Sequence, residues 1–307
     1  MMWTRRSVLG SSLLGLAVGV AIAGCGGAQT SSGNAPSIRV GSKDFTEQFI
    51  LGEMYAMVLE ENGFEVERKL NLGGTPVAHA GLLNDEIDLY PEYTGTGLLT
   101  VLKLPTNSDL AEVYTTVSEA YQSEFELVWL DPAPMNNTQA LAVTQDVAAE
   151  YDLGTISDMA AVADQLVMIG PPEFEVREDG LPGIQAAYGD FELKEYKAVD
   201  PGLRYTALAN GDADVTVAFG TDGEIDAFDL LVLEDDRNLF PPYQVAPVVR
   251  QDILDANPEL ADALNELSPL LTGATMRRLN NEVSGNQREP EDVALEFLQA
   301  EGLVGAS

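Results

Sequence analysis

From Ser37 onward the chain alternates short β-rich runs with amphipathic helical ones, and this alternation limits it to a parallel α/β sheet architecture. Ser37 to Ser42 reads as a strand. Asp44, with Glu47 three residues on, reads as the cap of a helix whose apolar positions Phe45, Phe49, Ile50, Met54, Met57 and Val58 recur at helical spacing, and Asn62-Gly63 ends it. Phe64 to Leu72 is the next strand, Gly74 to Asp85 a helix, Ile87 to Tyr90 a third strand, and Asp109 to Ser123 a further helix. A second block repeats the pattern, with strands at Ala140 to Thr144, at Leu166 to Gly170 and near Phe191 and Val215, and helices near Val147, Ser157 and Ile184. Tyr243 to Arg250 then leads into an all-helical tail, which suggests that the chain returns to its first lobe. The expected division is lobe 1 from 37–138 plus 243–307 and lobe 2 from 139–242, with a cleft at the hinge.

The first 24 residues read as a signal peptide. Arg5 and Arg6 precede an apolar run from Val8 to Ala23, too short to span a bilayer comfortably, that stops at Gly24-Cys25. Ile22-Ala23-Gly24-Cys25 resembles the bacterial lipobox, which implies lipidation of Cys25 and a mature chain beginning there. Thr4-Arg5-Arg6-Ser7-Val8-Leu9 also resembles a twin-arginine export signal; adjacent arginines occur in ordinary secretory signals too, so both routes stay open. Residues 25–36 have the Gly, Ser, Ala and Asn content of a flexible leash.

Charge narrows the partners. With 16 Lys+Arg against 50 Asp+Glu the formal net charge is −34, a field that repels nucleic acid and anionic headgroups. The acids are spread among ordinary apolar segments, so disorder does not follow; an evenly acidic surface suits folding in high salt and points to a halophile. One cysteine and one histidine exclude an internal disulfide and a Cys/His metal set, and no Gly-Lys-Ser/Thr phosphate loop occurs. His79 reads as a packing or surface residue. No nucleophile-base pair stands out, which leaves an exported enzyme only a carboxylate pair to work with and makes a non-enzymatic protein without cofactor or metal the expectation.

Two loops carry ligand-binding character. Lys43 follows the first strand, where open α/β folds bind ligands, and Tyr90-Pro91-Glu92-Tyr93-Thr94-Gly95-Thr96-Gly97 ends the third strand and begins a helix whose free amides would favour a carboxylate. Taken alone, a Lys after a strand is more often a solvated charge, and a strand-end Tyr more often packs.

Together these segments resemble a known family. Gly41 to Gln48, Asn71 to Thr75 and Ile87 to Thr96, then Glu173-Phe174 with Arg177 to Gly183, Asp200 to Leu203, Thr221 to Ile225 and Phe240 to Tyr243 are similar to the glycine betaine and choline receptors of ABC importers. The likeness runs from Ile38 to the C-terminus. It implies a type II periplasmic-binding fold and an extracytoplasmic lipoprotein, anchored outside the cytoplasmic membrane through Cys25 only. It also implies a permease with a cytoplasmic ATPase as partners, and a quaternary-ammonium osmoprotectant as ligand under osmotic stress.

On the same resemblance Lys43, Thr96 and Arg177 match carboxylate-binding positions, Tyr93, Phe219 and Tyr243 match an aromatic cage, and Asn137 joins the site from the segment Asn136 to Leu141. Two departures stand out. Gln139 occupies a position where high-affinity members usually have a cage Tyr, and Phe219 one where Tyr is usual. An incomplete cage implies modest affinity, as in a low-affinity stress-induced betaine receptor, or a different small organic cation or amino acid.

Overall fold

The computed structural model describes residues 37–176, 180–199 and 203–305. Cys25, the signal and leash segments and Arg177 lie outside the described residues.

Two five-stranded sheets carry the architecture. The first is built from β1 (Ile38–Gly41), β2 (Val66–Lys69), β3 (Leu89–Tyr93), β4 (Leu127–Trp129) and the late strand β10 (Val245–Arg250), in the order β2-β1-β3-β10-β4. The second holds β5 (Gln139–Thr144), β6 (Val167–Gly170), β7 (Glu195–Ala198), β8 (Val215–Phe219) and β9 (Leu230–Val232), in the order β7-β6-β8-β5-β9. Neither sheet is purely parallel, which corrects the expectation. β1, β2 and β3 run parallel while β10 runs against β3 and β4; β6, β7 and β8 run parallel while β5 runs against β8 and β9. The reversed strand in each sheet is the one formed straight after the chain crosses between lobes.

Several elements differ in extent from the sequence reading. The second strand covers only Val66–Lys69, the strand expected near Phe191 lies at Glu195–Ala198, and β4 and β9 were not anticipated. β3 runs through Pro91 to Tyr93, although proline disfavours an inner strand. The sheet accommodates it because Pro91 faces Pro247 of β10, so neither side offers a donor there. The carbonyl of Pro91 accepts from Gln48 Nε2 at 2.8 Å, and that of Pro247 from the Leu130 N–H at 2.9 Å.

Helix α1 (Thr46–Glu61) is buried around nearly its whole girth, as expected of a helix packed on both sides. One side lies on the first sheet through Ile50, Leu51 and Met54. The other meets the tail helices Glu259–Leu267, Gly273–Ser284 and Pro290–Glu301 through Leu264, Leu279 and Phe297. The expected Asp44 cap does not form: Phe45 precedes the helix with extended backbone and no side-chain cap, and Glu47 turns into the core instead. A separate core of Leu141, Ile156, Met168, Ile184 and Val217 fills the second lobe. His79 packs edge-on against Tyr121 and Phe125, at centroid distances of 5.5 and 5.0 Å.

The two crossovers run side by side. The Asn137 N–H donates to the Tyr243 carbonyl at 3.1 Å, the Tyr243 N–H to Asn136 Oδ1 at 2.7 Å, and the Thr138 hydroxyl to the Pro241 carbonyl at 2.8 Å. Gly220, after β8, passes so close that a Cβ there would lie 2.2 Å from the Asn136 carbonyl oxygen.

Candidate functional site

β1 and β3 both end at the cleft, and their C-terminal ends set the first wall. Lys43 follows β1 and is 4% exposed, so the solvated-charge reading fails. Its ammonium donates to Glu92 Oε1 at 2.5 Å and to the Thr75 hydroxyl at 3.1 Å, and stands 4.9 Å from the centre of the Tyr93 ring. Glu92 is wholly buried and also accepts from the Tyr90 hydroxyl at 2.8 Å and the Tyr93 N–H at 2.6 Å. A buried charge needs a partner and further hydrogen bonds to persist, and Lys43 and Glu92 meet that need together.

Tyr93 itself is buried, stacked on Phe45 at 6.2 Å between centroids, and its hydroxyl donates to Glu47 Oε1 at 2.7 Å. Burial drives the phenol's pKa well above its ordinary value, so the ring presents a neutral aromatic face. After Tyr93 the chain makes a single helical turn, Thr94–Thr96, which continues as a π-turn over Gly97–Val101. The free helix-start amides expected there are partly spent: the Thr94 N–H donates to the Gln244 carbonyl at 2.9 Å. Gly95 lies under Tyr243, whose Cε1 and Cε2 would each stand 2.9 Å from a Cβ at that position.

The second lobe supplies the facing wall from the end of β8. Phe219 is 40% exposed, a large ring left open beside the cleft. Its N–H donates to Asp222 Oδ2 at 2.9 Å, and Asp222 in turn holds Arg204 at 2.6 Å and the Tyr205 hydroxyl at 2.5 Å. Gln139 begins β5 directly across from Phe219 in the antiparallel ladder.

Lys43, Tyr93, Thr96, Asn137, Phe219 and Tyr243 come together with Phe45, Gly74, Thr75 and Asp222 around one cavity of about 400 Å³. Gln139, half-buried, lines an adjoining cavity of about 170 Å³ with Phe174, Val217, Phe219 and Tyr243. The sequence reading did not assign Phe45, Thr75, Phe174 or Asp222 to the site. Phe45 had passed as a helix core position; its place two residues after Lys43, on the same strand-end loop, was the usable signal.

Aromatic faces, one buried cation and hydroxyls fit a small ligand with an apolar or cationic head and a polar tail. Among the described residues no group of three or more His, Cys, Asp or Glu is placed to hold a metal ion, and no helix is long and apolar enough to cross a membrane.

A family model described as the substrate-binding domain of ABC-type glycine betaine transport systems matches residues 36–300. The chain is 35% identical over 266 residues to the carnitine transport binding protein OpuCC of Listeria monocytogenes, covering 86% of each chain. It is 35% identical over 280 residues to a glycine-betaine-binding protein of Pseudomonas aeruginosa, covering 88% of this chain and 89% of that one. A crystal structure of a glycine betaine/carnitine/choline ABC transporter superposes with a TM-score of 0.84 at 30% identity, covering 87% of this chain and 99% of the other. The two lobes with a cleft between them are thus the periplasmic-binding-protein fold, and the chain belongs to the extracytoplasmic substrate-binding proteins of ABC importers, in the glycine betaine family.

Proposed function

We propose that the ligand is a small quaternary-ammonium zwitterion, glycine betaine or a near relative, captured without chemical conversion and handed to a permease driven by a cytoplasmic ATPase. The observation that carries this reading is the 400 Å³ cavity in which Tyr93, Phe219 and Tyr243 face the same space as Lys43 and Thr96. A quaternary ammonium has no N–H to donate, so only aromatic faces and carboxylates can hold it, at roughly 1–2 kcal/mol per dry face. The carboxylate tail takes the remaining donors: the Lys43 ammonium has one hydrogen beyond those given to Glu92 and Thr75, the Thr96 hydroxyl lines the same cavity, and Arg177 completes the set by its match to the family position.

Gln139 beside Phe219 supports an incomplete cage. One missing aromatic face costs about tenfold in affinity, which sets the expected dissociation constant in the high-micromolar range or weaker. The smaller cavity at Gln139 also gives room for a longer ligand such as carnitine, and Gln139 can hydrogen-bond a hydroxyl there. Cys25 anchors the mature chain to the outer face of the membrane; Cys25→Ala is expected to release it or leave it unprocessed.

Calorimetric titration of the mature protein with glycine betaine, carnitine and choline, in low and high salt, tests the reading. Saturable 1:1 binding of a zwitterion supports it. Absence of heat with all three at millimolar concentration refutes it.

A further inference from the structure

Among the described residues, the two cations that line the cleft each have a carboxylate partner. Lys43 is matched by Glu92, and Arg204 by Asp222. Glu47 is 3% exposed, and among the described residues no Lys or Arg forms an ion pair with it.

Four side chains turn polar groups toward Glu47, and two of these are amide NH2 groups, which can only donate. The Tyr93 hydroxyl and Asn137 Nδ2 donate to Oε1 at 2.7 and 2.9 Å, Asn280 Nδ2 donates to Oε2 at 2.8 Å, and the Thr221 side chain stands close enough to favour the charged form. These groups come from β3, the first crossover, the tail helix Gly273–Ser284 and the loop after β8, so four separate segments turn polar groups toward one carboxyl group. The amide oxygens of Asn137 and Asn280 are left buried and without partners as a result. The two amide NH2 groups favour the ionised carboxylate, and the Tyr93 and Thr221 hydroxyls can donate to it as well.

An ionised carboxylate at this depth is costly without a cation. Burial pushes the Glu47 pKa above the ordinary carboxylate value, against the pull of its hydrogen bonds. The cavity wall next to it is Tyr93, and a phenol donating to a carboxylate carries more negative charge on its ring face, where a cation would rest.

We infer that Glu47 is the counter-charge by which the cleft selects a cationic head group over a neutral one of the same shape, acting through the hydroxyl of Tyr93. The inference rests on the quaternary-ammonium reading above and assigns Glu47 a positioning and electrostatic role without direct ligand contact.

The test compares glycine betaine with 3,3-dimethylbutanoate, in which a tert-butyl carbon replaces the trimethylammonium nitrogen and the carboxylate is kept. Calorimetric or competition affinities for both give a preference ratio for each variant. Glu47→Gln is expected to lower the betaine preference about tenfold, the size of a full charge lost behind a partly dry site. Glu47→Asp, which keeps the charge, is expected to restore most of the preference, and Tyr93→Phe, which keeps the ring and cuts the link, to lower it severalfold.

If Glu47→Gln weakens both ligands equally and the ratio stays, Glu47 serves the fold alone and the inference is overturned. Should Glu47→Gln fail to fold, Tyr93→Phe decides in the same way: a lower ratio supports the role and an unchanged ratio overturns it. Wild-type protein that binds neither compound refutes the ligand reading and the inference with it. Betaine binding with an unchanged ratio in the variants refutes the inference alone.

Discussion

Replacing Glu92 by Gln removes the charge that holds Lys43 in the cleft wall, and the geometry fixes how much that should cost. Lys43 and Glu92 are 4% and 0% exposed and stand 2.5 Å apart. Loss of one partner of such a pair leaves an uncompensated buried charge, at a cost of about 3–5 kcal/mol. Lys43→Met should cost a similar amount, because Glu92 would keep only the Tyr90 hydroxyl and the Tyr93 N–H. The double variant replaces the whole pair by neutral groups and should lose far less than the two single costs combined, since such replacements are often close to neutral. A double-mutant cycle of thermal or urea unfolding therefore predicts a coupling of roughly 3 kcal/mol or more. In a chain of this size each kcal/mol shifts the Tm by about 2–4 °C, so each single variant should melt roughly 6–20 °C below wild type, with the double variant well above both. Additive losses, or an unchanged Tm in Glu92→Gln, would refute the claim that a buried ion pair builds this wall.

Gly95→Ala should force the Tyr243 ring and the Pro242 carbonyl oxygen back from contacts of 2.9 and 2.8 Å, costing about 1–3 kcal/mol and weakening ligand binding; unchanged melting and affinity would contradict this packing. Gln139→Tyr should tighten glycine betaine binding by roughly tenfold by adding a ring beside Phe219, and an unchanged affinity in the folded variant would remove Gln139 from the cage. His79 is the single histidine, and burial among Tyr121 and Phe125 lowers its pKa below 6.5. A lowered pKa contributes stability that is present above the unfolded value near 6.5 and lost as pH falls through the folded value, so His79→Phe should flatten the acid-side loss of stability below about pH 6.5. An NMR titration of the His79 ring protons should give a midpoint below 6.5, and a midpoint above it would contradict the burial argument.

The cleft was legible in the sequence where a strand ends in a loop. Lys43 after β1, Tyr93 at the end of β3 and Thr96 just after it stand where the α/β pattern places a ligand; the resemblance gave them roles and added Asn137, Phe219 and Tyr243, which line the same cavity. Strand direction was not legible: β5 and β10 have the same apolar pattern whichever way they run, and only the crossovers reverse them. Pro91 hid the end of β3, because the proline rule does not foresee a second proline, Pro247, on the facing strand. Glu47 was misread for a related reason. Asp44 and Glu47 have the spacing of a capping box, yet no capping bond forms, and the burial that defines Glu47 arises from Asn137, Thr221 and Asn280, which lie far away in sequence.

The most direct test of the whole account is a crystal structure of the mature protein with glycine betaine. The trimethylammonium group is expected against Tyr93, Phe219 and Tyr243, on the Glu47 side of the cleft, and the carboxylate on Lys43, Thr96 and Arg177. A ligand bound with its head and tail exchanged, or outside this cavity, would contradict it.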